Sequence, residues 1–142
     1  MANYNCAYRT NYYHVTNETL YKEILAGISS EDFETFQKLE PDGRILYGFG
    51  GFGDMLWHNL EEGDIDNGDS DIEEFYKALQ GVLPEDEALI LMESGNEKLK
   101  YVTGLATIVT RRNIEYLSLT QIAQEKAGEL LGNLEYSTQM EY

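Results

Sequence analysis

Three short, turn-forming stretches constrain this chain more than anything else in it. Pro41-Asp42-Gly43, Ser94-Gly95-Asn96 and Arg111-Arg112-Asn113 each separate two segments of strand character. A parallel pairing needs a crossover of a dozen residues or more, whereas links this short serve only hairpins. In the first of them proline presets φ and glycine accepts the positive φ that closes the turn. A mainly antiparallel sheet is therefore expected before any residue is assigned to a face.

The segments between the turns fill in the order. Residues 6–15 are rich in β-branched and aromatic types and read as a first strand. Thr16 or Asn17 caps a helix in which Leu20, Ile24 and Ile28 recur at helical spacing beside Tyr21 and Leu25, and Gly27 closes it. From Asp32 the period changes to two, so 32–49 reads as a hairpin about Pro41. A second helix is placed from about Asp69 to Gly81, with Ile72, Phe75, Tyr76 and Leu79 inward. The apolar run 88–93 reads as a central strand, and 99–110 as a long one with Gly104 as a bulge or bend. Residues 114–119 pair back on it. Thr120 caps a final helix with Ile122, Ala123, Leu130 and Leu131 inward and Gly132 at its end, and the tail 133–142 is expected to fray. The expected fold is one α+β domain spanning 1–142: strand–helix–strand–strand–helix–strand–strand–strand–helix, with the helices packed on one face of the sheet.

Charge limits what such a domain can bind. Asp and Glu number 26 against 10 Lys and Arg, a formal charge of −16 in 142 residues. That field repels phosphate backbones and anionic lipid, so neither direct nucleic-acid nor membrane binding is expected, and it attracts basic proteins. Cys6 is the sole cysteine, which rules out an intramolecular disulfide and points to a reducing compartment. No apolar run approaches transmembrane length and the start has no leader-like pattern, so cytoplasmic residence is expected.

Each chemical motif has a plainer reading beside it. Gly48, Gly50 and Gly53 satisfy the glycine spacing of a dinucleotide loop, but Phe49 and Phe52 fill it and no basic residue appears from Tyr47 to Tyr76. A tight turn or bent strand is expected there instead. Aligning Gly68 with the central glycine of a helix–loop–helix calcium motif puts Gly63, Ile65 and Asn67 at the first three ligand positions and Glu74 at the last. Two of the three carboxylate ligands are then missing. Cys6 with His14 or His58 matches no nucleophile signature, and acidic surroundings raise a thiol pKa where reactivity needs it lowered. Two histidines and one cysteine cannot complete a tetrahedral zinc site without borrowed carboxylates. No catalytic residue, metal or cofactor is expected. Eleven tyrosines supply stiff, amphipathic contact area, most of it half-buried on the sheet and some of it on a binding face.

Phrases of the chain carry a likeness. Tyr8-Arg9-Thr10-Asn11-Tyr12-Tyr13-His14-Val15, the run from Glu93 to Gly104 and Ile114-Glu115-Tyr116-Leu117 resemble small uncharacterised proteins of conjugative and other mobile elements in gut Firmicutes. The resemblance implies an accessory protein travelling with mobile DNA and transfers no catalytic residue. Joined to the charge, it leads to the expected function: a non-enzymatic module acting through an acidic surface on a basic protein partner. The acidic surface would comprise Glu61, Glu62, Asp64, Asp66, Asp69, Asp71, Glu73 and Glu74. Its sharpest form is imitation of DNA against restriction or CRISPR nucleases, with carboxylates standing at phosphate positions. The alternatives are a self-associating homodimer with tyrosine-rich strand edges, and a weak cation or small-ligand binder using the glycine-aromatic run.

Overall fold

Residues 5–58 and 71–139 are described by the computed structural model of the chain. They form β1 (Asn5–Thr10), α1 (Glu18–Leu25), β2 (Ile28–Leu39), β3 (Ile45–Trp57), α2 (Ile72–Gln80), β4 (Leu89–Glu97), β5 (Tyr101–Val109), β6 (Ile114–Ser118) and α3 (Leu119–Leu131). The six strands make one open sheet in the order β2-β3-β1-β4-β5-β6. Every neighbouring pair is antiparallel. The α+β class and the order of elements are those expected from the turns and periodicities.

Register sorts the residues into two faces. Thr10 pairs with Leu91, Leu91 with Thr107, and Thr107 with Tyr116, so these side chains share one side of the sheet with Leu89, Val109 and Tyr8. On that side α1 contributes Tyr21, Ile24 and Leu25, and α2 contributes Phe75, Tyr76 and Leu79. Phe75 is fully buried among Phe49, Trp57 and Tyr76, with ring centroids 5.6–6.0 Å apart. Polar groups in this core are paired, as burial demands. The Trp57 indole N–H donates to the Ile24 carbonyl at 2.7 Å, and the Tyr13 and Tyr21 hydroxyls meet at 2.7 Å. Thr10 Oγ1 accepts from the Phe49 amide at 3.1 Å.

Several boundaries differ from the sequence reading, each for a local reason. β1 ends at Thr10 rather than reaching residue 15, because Asn11 leaves the ladder to bond Ala88 and Ile90. Strand β2 begins at Ile28, before the period-two pattern at Asp32, and irregular register at 29–34 accommodates Asp32 at φ 48°. Ser94-Gly95-Asn96 is not a turn. All three residues pair within β4, and the chain reverses at 98–100, with Lys98 at φ 52°. The glycine-aromatic run lies inside β3, with strand on both sides and no helix opening at its end, which removes the phosphate-loop reading.

The last helix departs furthest. α3 follows β6 without a loop, and Leu119 sits against Gly104, on the sheet face opposite α1 and α2. Ile122, Ala123, Leu130 and Leu131, expected inward, are all exposed, and Gly128 is the helix's one buried residue. Residues 133–139 fold back over Gly128, and the end of the tail expected to fray, 140–142, lies outside the described residues. The Asn133 amide donates to the Gly128 carbonyl at 2.9 Å, and the Thr138 amide to Gln124 Oε1 at 3.0 Å.

Candidate functional site

Of the eight acidic residues expected to meet a partner, Glu61, Glu62, Asp64, Asp66 and Asp69 lie outside the described residues. Asp71 caps α2, its carbonyl accepting from the Phe75 amide at 3.1 Å. Glu73 and Glu74 are exposed in the first turn, favourably placed against the positive end of the helix dipole, and Glu74 pairs with Lys77 at 3.3 Å. These three positions are accounted for by the helix itself.

Elsewhere carboxylates alternate with cations around the surface. Ion pairs join Glu18 to Lys22, Asp42 to Arg44, Glu74 to Lys77, Glu85 to Arg112 and Glu129 to Lys126. Among the described residues these five pairs fall on α1, the β2–β3 turn, α2, the β5–β6 turn and α3.

The sites weighed for catalysis are also occupied. Burial, followed by the nearby Glu93 and Asp54 carboxylates, pushes the Cys6 thiol above its ordinary range, and its S–H donates to the Gly53 carbonyl at 3.1 Å. His14 has a carboxylate on each ring nitrogen, Glu40 on Nε2 and Glu87 on Nδ1, the latter at 2.7 Å. His58 is half-buried, its amide donating to the Gly27 carbonyl at 3.1 Å. No group of three or more His, Cys, Asp or Glu among the described residues is arranged to hold a metal ion. Tyr8, Tyr13, Tyr21, Tyr47 and Tyr76 are core, leaving Tyr12, Tyr116 and Tyr136 as the more exposed rings.

What stands out is the face that α1 and α2 leave bare. Ala7 pairs with Phe52 and Ser94, and Ser94 with Gly104; Arg9 pairs with Gly50 and Met92, Met92 with Ala106, and Ala106 with Leu117. Two rows of side chains, small and apolar except for Ser94 and Arg9, therefore cross the uncovered side of the sheet, one from β3 to β5 and the other from β3 to β6. Glycine at 50 and 104 and alanine at 7 and 106 make this face low in the middle. Phe36 and Phe52 wall it on one side, and Leu119 and Ile122 of α3 wall it on the other. The result is an open groove of about 870 Å³, the size of a ligand or helix-binding cleft.

The groove's walls are apolar and unpartnered: Phe52 is 58% exposed, Met92 62%, Val102 68% and Leu119 62%. A soluble domain seldom leaves so many contiguous apolar groups in water unless they meet something. Its charged lining residues are Asp32 and Glu34 of β2, Arg9 of β1 and Glu93 of β4. The Arg9 guanidinium stacks 5.0 Å from the Phe36 ring centroid, a cation–π contact that holds it flat against the wall. Leu130 and Leu134, 81% and 87% exposed, carry apolar surface beyond the groove along α3 and the returning tail.

Sequence reading missed this site because period two shows that a strand has two faces, not that both will be apolar. The glycine-aromatic run about Phe52 reads as a tight turn or bent strand, and the continuous apolar run through Leu91 and Met92 as a central strand covered on both sides. The available signal was an excess: β3, β4 and β5 have apolar residues in both parities, while the three helices are all expected on one face. No family model, curated protein or solved structure matches the chain. Among the described residues no helix is long and apolar enough to cross a membrane.

Proposed function

We propose that the protein is a non-catalytic binding module whose bare sheet face receives a basic, amphipathic segment of another protein. The observation that carries this reading is the groove of about 870 Å³ between the uncovered face and α3, mostly apolar, with the carboxylates Asp32, Glu34 and Glu93 and the guanidinium of Arg9 among its lining residues. An amphipathic helix laid in such a groove buries its apolar stripe and keeps its charged side in water. Its cations would then meet a molecule of charge −16, which speeds encounter and selects sign.

Charge also argues against the other occupants. A second copy would bring another charge of −16 against the same face, a repulsion that salt only partly screens. A small apolar molecule would fill the groove and leave Leu130 and Leu134 uncovered. A protein segment long enough to run from β2 onto α3 covers both.

The test is titration with a synthetic Leu/Lys amphipathic helical peptide, a Leu/Glu peptide of the same pattern serving as control. The basic peptide is expected to bind and the acidic one not, with affinity falling as salt rises. Met92→Asp with Leu117→Asp is expected to weaken binding by at least about tenfold, since two buried anchors are replaced by desolvated charge. Unchanged affinity in that variant, equal binding of the two peptides, or light scattering that shows a stable dimer would each overturn the proposal.

A further inference from the structure

We propose that His14 is a pH-operated clasp: as imidazolium it ties the β2–β3 turn to the segment entering β4, and as neutral imidazole it lets the turn go. The geometry is a three-segment junction. His14 belongs to the β1–α1 connection, Glu40 opens the β2–β3 turn, and Glu87 lies just before β4. Nε2 faces Glu40, and Nδ1 meets Glu87 Oε2 at 2.7 Å, while the His14 backbone amide donates to Glu87 Oε1 at 2.9 Å. Because the carboxylates approach opposite ring nitrogens, both bonds require both N–H groups, which only the imidazolium has.

Loss of one proton has a determined consequence. Glu87 is held by two donors, the ring Nδ1–H and the amide, so the remaining ring proton stays there. Nε2 then turns a lone pair toward the Glu40 carboxylate, and attraction becomes repulsion. The other charged group at this junction is Arg44, whose Nε lies 3.8 Å from Glu40 and is committed to Asp42 at 2.9 Å. It does not replace the lost bond. What is released is the turn closed by the Glu40 amide on the Arg44 carbonyl at 2.8 Å and the Gly43 amide on the Glu40 carbonyl at 2.9 Å.

The titration direction agrees. Hydrogen bonding to Glu40 first, and to Glu87 second, raises His14 above its ordinary 6.5. Burial works against the Glu87 carboxylate, but the His14 amide and ring hold it below its ordinary value. A raised imidazole contributes stability that is fully present below the unfolded value and is lost as pH rises through the folded one; a lowered carboxylate loses its contribution as pH falls. The clasp therefore holds from the lowered Glu87 titration up to the raised His14 titration, and opens above it.

The test is NMR on the full chain. The His14 ring is expected to titrate above 6.5, and amide protection at Glu40 and Gly43 to drop at least about threefold as it does. In Glu40→Gln, which can accept or donate to either ring form, that protection is expected to stay level over the same range. A His14 titration at or below 6.5, or the same pH dependence in wild type and Glu40→Gln, would overturn the clasp.

Discussion

Gly51 shows how a single residue's environment decides what a sequence motif means. A Cβ at position 51 would stand 2.6 Å from the Tyr8 hydroxyl oxygen, and one at Gly50 would stand 2.7 Å from the Tyr8 carbonyl. Gly53, in open space at φ 76°, serves a positive φ, whereas Gly50 and Gly51 serve clearance for the neighbouring strand. That use is invisible in the motif, because the group requiring the space comes from β1, far away in the chain. Gly51→Ala is expected to destabilise the fold by about 1–3 kcal/mol, the ordinary cost of overpacking, read as a lower midpoint in urea with the slope unchanged. Tyr8 is anchored by its own hydroxyl, which donates to Ser30 Oγ at 2.5 Å, so the ring cannot simply step aside.

At the scale of elements, the helices divide into two kinds. α2 has its apolar stripe where the spacing placed it, with Phe75, Tyr76 and Leu79 buried, whereas in α1 Tyr21, Ile24 and Leu25 are buried but Leu20 is exposed and Ile28 opens β2 instead of extending the helix. For α3 the same kind of spacing gave the wrong answer. Helical periodicity shows that a stripe exists, and only the strand order shows whether anything is left to receive it. With the first face already covered, α3 meets the second face through Leu119 at Gly104 and leaves most of its stripe in water. Leu130→Glu with Leu134→Glu is therefore expected to change folding stability by no more than about 0.5 kcal/mol, since neither side chain is packed. If both leucines were core, the loss would be several-fold larger and visible in thermal unfolding. The turn after β4 teaches a similar lesson: Ser94-Gly95-Asn96 has turn composition, yet cross-strand partners at Thr103 and Gly104 keep it in the ladder.

For the whole molecule, the hairpins β2–β3, β4–β5 and β5–β6 follow from the short links, whereas the place of β1 between β3 and β4 does not, and the sign of the proposed partner rests on the charge of −16. Where the partner sits does not follow from either. Ion pairs such as Glu85–Arg112 and Glu18–Lys22 lie on separate elements, whereas Phe52, Met92, Val102, Leu117, Leu119 and Ile122, all exposed, line one groove between β3 and α3. In the proposed reading, long-range attraction and the contact surface are separate properties: charge would bring a basic segment near, and the groove would hold it. Hydrogen–deuterium exchange with the Leu/Lys peptide bound separates these roles most directly. Protection is predicted at Gly50–Phe52, Met92–Ser94 and Gly104–Ala106 and in the first turn of α3. Protection confined to 61–74, with those strands unchanged, would contradict the account.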